Sequence, residues 1–348
     1  MNTHPVLEHG CAAWLRAAVL ALAMAASTHG RAALAQSPPV LAPSATVILG
    51  EGPYPLQQQT YALAADVGRV ATIGTRGILL WDGGGRLLAA LEDGGNRRFE
   101  WYSAVAASAG GRHVAVGLRD GRIALWDRPS AGAAPRLLEG HGDRVTAIAF
   151  LGDSGVMTSG GGDGSLVFWV DGNPALALAG HDHAVTALAL SADGRWLASG
   201  DDGGTVLVWE AGALRYRLQA HAEAVYALAF SPDARWLASG GRDARLLAWD
   251  MADGRALATI HDGAGAAPLA RSPVYAVSVS PDGAWLAFGG MRGEIGLWEV
   301  ATGRARAILL GRDQNGYPIA ALGFSSDGTV LSAVSGEGTL RQWPVGRF

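Results

Sequence analysis

Short runs of five or six consecutive apolar residues recur along the chain, each ended by a polar or glycine-rich turn. VTAIAF at 145–150, VTALAL at 185–190 and VYALAF at 225–230 open three copies of one pattern. In each copy a turn follows, then a second run, which is WLASG in two of the three, then another turn and a third run closing on tryptophan as SLVFW, TVLVW or LLAW. Runs of this length read as strands, and apolar residues in succession instead of alternation predict strands covered on both faces. Seven tryptophans, Trp81, Trp126, Trp169, Trp209, Trp249, Trp298 and Trp343, stand at intervals of 45, 43, 40, 40, 49 and 45 residues, and most close such a run. A period of roughly 40 to 45 residues is that of a four-stranded propeller blade. The pattern predicts an all-β fold, a seven-bladed β-propeller of four-stranded antiparallel blades.

The turns agree with this reading. Ser231-Pro232-Asp233-Ala234 and Ser280-Pro281-Asp282-Gly283 are type I turn sequences, in which proline presets the second residue and the Ser or Asp side chain bonds locally. Each copy is then a meander of short antiparallel strands that cannot bury its own faces and depends on its neighbours. The last copy stops five residues after Trp343, too early for an outer strand of its own, while Ser44 to Leu49 precedes the first copy. Pairing of that N-terminal strand with the last blade would close the ring and leave it no free edge at the join.

Three copies carry further matched positions. Gly140-His141 leads to Trp169, Gly180-His181 to Trp209 and Ala220-His221 to Trp249, with 28 residues from His to Trp each time, and Trp-Asp pairs occur at 81–82, 126–127 and 249–250. On these motifs, from about residue 44 to the C-terminus, the chain resembles the WD40-repeat β-propellers. The resemblance implies a hydrogen-bonded network of His, Ser or Thr, Asp and Trp in each full repeat. Matching positions are His141, Ser159, Asp163 and Trp169 in the third blade, and His221, Ser239, Asp243 and Trp249 in the fifth. The fourth blade offers His181, Ser199 and Trp209, with Gly203 at the Asp position. Blades one, two, six and seven have Thr75, Asp120, Arg292 and Glu337 near that turn and no aligned His.

Residues 1–35 read as a signal peptide: Arg16, an apolar stretch from Ala17 to Ala26, then Ala33-Leu34-Ala35 as a small-x-small cleavage pattern. The apolar stretch is shorter than the ~20 residues that span a bilayer. Cleavage after Ala35 would leave 36–43 (QSPPVLAP) as a linker and 44–348 as the propeller, delivered to the periplasm of a bacterial envelope. Cys11, the single cysteine, would leave with the leader, which excludes disulfides, thiolate metal sites, a thiol nucleophile and covalent haem attachment through paired cysteines. All 27 basic residues are Arg, which with heavy Ala and Gly usage suggests a GC-rich bacterial genome. A net charge of −4 without any basic run argues against nucleic acid as a partner.

Ser239, His221 and Asp243 contain the components of a nucleophilic triad, but the set recurs in blade three and largely in blade four. A catalyst needs one such set and a repeat architecture needs one per blade, so the sequence favours structure over hydrolysis. His141, His181 and His221 stand one blade apart and should not converge on a metal ion, and His181-Asp182-His183 begins a turn. Gly83-Gly84-Gly85 and Gly160-Gly161-Gly162 open no helix and form no phosphate cradle. Trp196, Trp236 and Trp285 repeat at one strand start and read as packing. No cofactor and no metal are expected.

The repeat fails in the connections entering blades six, seven, one and two: 261–273, 311–318, 50–59 and 92–101. Consecutive blades would gather these loops on one sector of one face. They hold Tyr54, Arg97, Arg98, Trp101, Arg271, Arg312, Asp313 and Tyr317, residue types that dominate binding hot spots, with Arg119 and Arg242 in neighbouring turns. The expectation is a non-catalytic scaffold binding a protein or peptide partner there. The alternatives are a propeller enzyme, such as a quinone-dependent dehydrogenase or a metal-dependent hydrolase, using Asp201, Asp202, Asp313 or Glu337 at an axial channel, or an accessory factor for envelope assembly or an exported redox protein.

Overall fold

The computed structural model describes residues 40–41, 45–48, 61–64, 69–74, 77–82, 86–91, 102–261, 271–310, 317–336 and 338–347. Its strands form seven antiparallel meanders, at 61–91, 102–139, 145–178, 185–219, 225–261, 276–310 and 319–344, here blades one to seven. Blade seven supplies three strands from its own end, and its fourth is Ala45–Ile48, antiparallel to Thr339–Pro344 with Val47 opposite Leu340. The predicted closure by an N-terminal strand is the observed one. Residues 40–41 of the expected linker are also strand, laid parallel on the outside of blade six.

First strands of successive blades touch one another, and blade seven touches blade one, so these strands line the axis of a closed ring. Second and third strands lie between blades, which explains their unbroken apolar runs: every residue of His113–Leu118 and of Trp196–Asp201 is buried. Outermost strands face solvent, and Ala256–His261 is exposed over its first four residues. The cores are inter-blade layers. Trp249 packs with Leu247, Leu237, Val206 and Val208 across the boundary between blades four and five. At the inner end of five of these layers, a glycine of one blade meets a residue at or just before the start of the next blade's first strand. A Cβ on Gly200 would lie 2.6 Å from Cβ of Val225, and Gly240 meets Val274 and Gly289 meets Ile319 in the same way. The WLASG runs therefore end in glycine because the neighbouring strand occupies the space of a side chain.

In a meander, the connections entering blades and the turns between second and third strands fall on one face. His141, Asp163, Arg271 and Tyr317 all belong to that entry face. The Ser-x-Asp turns lie on the opposite face.

Candidate functional site

The histidine network is present in blades three, four and five. In blade five the Trp249 indole donates to Ser239 Oγ at 2.9 Å, His221 Nε2 meets the same oxygen at 2.9 Å, and His221 Nδ1 meets Asp243 Oδ1 at 2.9 Å. Asp243 also accepts backbone N–H groups from Ala222 and Arg245, tying the entry loop to the hairpin turn. Blade three repeats this with Trp169 and His141 on Ser159 at 2.8 and 2.7 Å. There Ser165 is inserted into the relay: His141 Nδ1 meets Ser165 Oγ at 2.9 Å, and that hydroxyl donates to Asp163 at 2.7 Å.

Blade four reaches the same end by a different route. Trp209 and His181 converge on Ser199 at 3.1 and 2.7 Å, and His181 Nδ1 meets Asp201 at 2.8 Å. Asp201 occupies the strand position held by Gly161 and Gly241 in the flanking blades, and Gly203 the position held by Asp163 and Asp243. A Cβ on Gly161 would lie 2.6 Å from His141 Nδ1, so either position brings a carboxylate to the imidazole while the other must be bare. The apparent gap at Gly203 is an exchange between two positions. The same contact removes Asp201 from any channel site, since it is 1% exposed and also accepts N–H groups of Gly203 and Thr205.

Burial holds the imidazoles of His141, His181 and His221 below their ordinary value, and the facing carboxylates only partly oppose it. Asp163 is raised by its burial but held below the usual carboxylate range by hydrogen bonds from Ser165 and Gly142. Ser239 is 0% exposed and already engaged by two partners, so its hydroxyl cannot reach a substrate. These groups form three copies of a structural clamp. His183 is exposed while His181 is buried, and among the described residues no three His, Cys, Asp or Glu gather as metal ligands would.

Of the expected docking residues, Tyr54, Arg97, Arg98, Trp101, Arg312 and Asp313 lie outside the described residues, as does Glu337. Arg271 and Tyr317 are described, at the entries to blades six and seven, the former exposed and the latter half-buried.

Beside Arg271 the structure shows a feature that the loop-based reading passed over. In blades two to five the second residue of the first strand sits at a β-bulge between two ladder pairs, and in blade six the equivalent position just precedes Ala276–Val279. In blades two to four it is Ser103, Thr146 or Thr186, whose hydroxyl is used up on backbone carbonyls such as Val145 O and Val225 O. In blades five and six it is Tyr226 and Tyr275. Their rings stack at 5.0 Å and 9°, half-exposed, and among the described residues neither hydroxyl has a hydrogen-bond partner. Burial, then Tyr226, raises the Tyr275 phenol, keeping it neutral and a donor.

The same entry face carries Met291, 52% exposed, and three exposed arginines. Arg242 pairs with Glu223 at 3.1 Å. Arg271 and Arg292 have no ion pair among the described residues, and the Met291 N–H donating to Ser272 Oγ at 2.6 Å brings their two segments together. The buried Glu294 lies beneath the same turn. The sequence signal was a change from VTA to VYA at one repeat position, in VYALAF and VYAVSV, inside strands that otherwise read as packing.

Four stretches, residues 133–170, 172–210, 212–250 and 268–299, match the family described as WD domain, G-beta repeat. With seven blades closed in a ring, that decides the fold. The molecule is a seven-bladed β-propeller with WD40-like repeats in its matched stretches. The matched stretches include the three blades with complete histidine clamps, and the divergent blades fall mostly outside them. No curated protein matches the chain. Among solved structures, a chain in the "Crystal Structure of Mitotic Checkpoint Complex" is similar in fold, with a TM-score of 0.70 and 21% identity over 95% of this chain and 99% of that one. No helix among the described residues is long and apolar enough to cross a membrane.

Proposed function

We propose that this propeller is a non-catalytic protein-interaction scaffold of the bacterial cell envelope, exported to the periplasm, and that it docks a protein or peptide on the entry face of blades five to seven. The observation carrying this reading is the stacked Tyr226–Tyr275 pair, half-exposed with hydroxyls unused among the described residues, where blades two to four spend a small hydroxyl on the backbone. Aromatic, Met and Arg side chains bury large areas while keeping polar contacts, and they dominate binding hot spots. Arg242, Arg271, Met291 and Tyr317 extend the patch toward the irregular entry connections. The similarity to a chain of a multi-protein assembly is consistent with a docking role.

The test is co-purification from the envelope fraction with quantified affinity for the recovered partner. Replacing Tyr226 and Tyr275 with Ala should weaken binding by at least about tenfold, the scale of a hot-spot residue, while Asp182→Ala, in the entry connection of blade four outside the patch, should leave it unchanged. Equal binding by both variants would refute the assignment of the face. Recovery of the tagged chain only from cytoplasm, with its leader intact, would refute the envelope role.

A further inference from the structure

The sharpest departure from sevenfold regularity lies on the outside of blade six. Val40–Leu41 pairs parallel with its fourth strand, Arg304–Leu310, Val40 opposite Ile308 and Leu41 opposite Leu309, making this blade five-stranded. All other strand pairs among the described residues are antiparallel. The strand beneath is also unlike its counterparts. The residue two before each closing tryptophan faces, on the fourth strand, Ala90, Leu137, Ala177, Arg217 and Thr259 in blades one to five, and Ile308 in blade six. The first five are exposed; Ile308 is 4% exposed, between buried Ala307 and Leu309. Blade six has the outer strand of an internal position.

We infer that the outer edge of blade six is a strand-accepting site and that Val40–Leu41 is its cap, docked by the chain on itself. A strand as apolar as ARAILL with its N–H and C=O groups free would be a template for pairing with other chains. The cap is set in the sequence of a terminator. Pro38 and Pro39 precede the paired dipeptide and Pro43 follows it, and residues without an N–H cannot extend the ladder to a further strand. Four residues beyond Leu41, the chain enters Ala45–Ile48 on blade seven. One N-terminal segment thus holds the outer edges of blades six and seven together, across a boundary where the buried Trp343 indole has no hydrogen-bond partner among the described residues. The assignment is independent of the docking face and stands or falls on the ladder alone.

Hydrogen exchange on the full chain tests it. In a variant with Val40→Pro and Leu41→Pro, amides of 307–309 should exchange at least about tenfold faster than in the parent, while those of 339–344, held by the closing strand, keep their protection. A synthetic peptide of residues 36–43, QSPPVLAP, added to the variant should restore protection of 307–309. Unchanged exchange in the variant, simultaneous loss at both edges, or failure of the peptide to restore protection would each overturn the inference.

Discussion

Trp343 shows what the clamp contributes by lacking it. Among the described residues its buried indole N–H has no acceptor, because Ala333 stands where Ser159, Ser199 and Ser239 stand in other blades. An orphaned buried donor costs about 1 to 3 kcal/mol. Ala333→Ser should recover about 1 kcal/mol of this and raise the melting temperature by about 1 to 2 °C; no rise would show that the hydroxyl does not reach the indole. The three clamped histidines also make stability depend on pH. Each has a folded value below its ordinary 6.5, so below pH 6.5 the unfolded chain binds protons that the fold refuses. Stability is full above that value and falls as pH drops, by up to about 1.4 kcal/mol per unit for each histidine, until the lowered folded values are reached. Urea midpoints measured from pH 7.5 to 5 should decline, and His181→Gln should flatten the decline; a level profile in the parent would refute it. At this scale His, Ser and Trp were legible in the sequence. Asp201 was not, because alignment compares positions, whereas a carboxylate needs only to arrive at the imidazole from either of two neighbouring Cα atoms.

Turns between first and second strands follow a Ser-x-Asp formula, with Ser191, Ser231, Ser280 and Ser325 each donating to the Asp two residues on. Blade two has Ser108 but Gly110 at the Asp position, and blade three has Asp153 but Leu151 at the Ser position. The two incomplete turns complete each other. Asp153 accepts the Ser108 hydroxyl and, at 2.8 Å, the Gly110 N–H across the blade boundary. Asp153→Ala should therefore destabilise by about 1 to 2 kcal/mol, and in a double-mutant cycle with Ser108→Ala the effects should be less than additive; full additivity would mean that the bridge carries no coupling. Each turn by itself was readable as a meander signal. Their union was not, since the residues lie 45 apart and meet only because blades stack in register. Tyr226 and Tyr275, 49 residues apart, were hidden in the same way inside strands whose apolar pattern read as core.

Across the whole molecule, the amino-acid sequence by itself determined the number of blades, the meander within each, the pairing of Ala45–Ile48 with the last blade, and the clamp positions in blades three and five. All of these follow from local periodicity: a repeat of roughly 40 residues with strand-length apolar runs has few ways to bury itself. Tertiary structure alone decided which departures from the repeat become neighbours. It set two tyrosines face to face, brought Asp201 to the imidazole that Gly203 cannot serve, joined Asp153 to Ser108, and laid Val40–Leu41 over the buried outer strand of blade six. Ring closure brings residues one period apart to equivalent places on adjacent sheets, and the chemistry at such boundaries depends on distances that no single repeat contains.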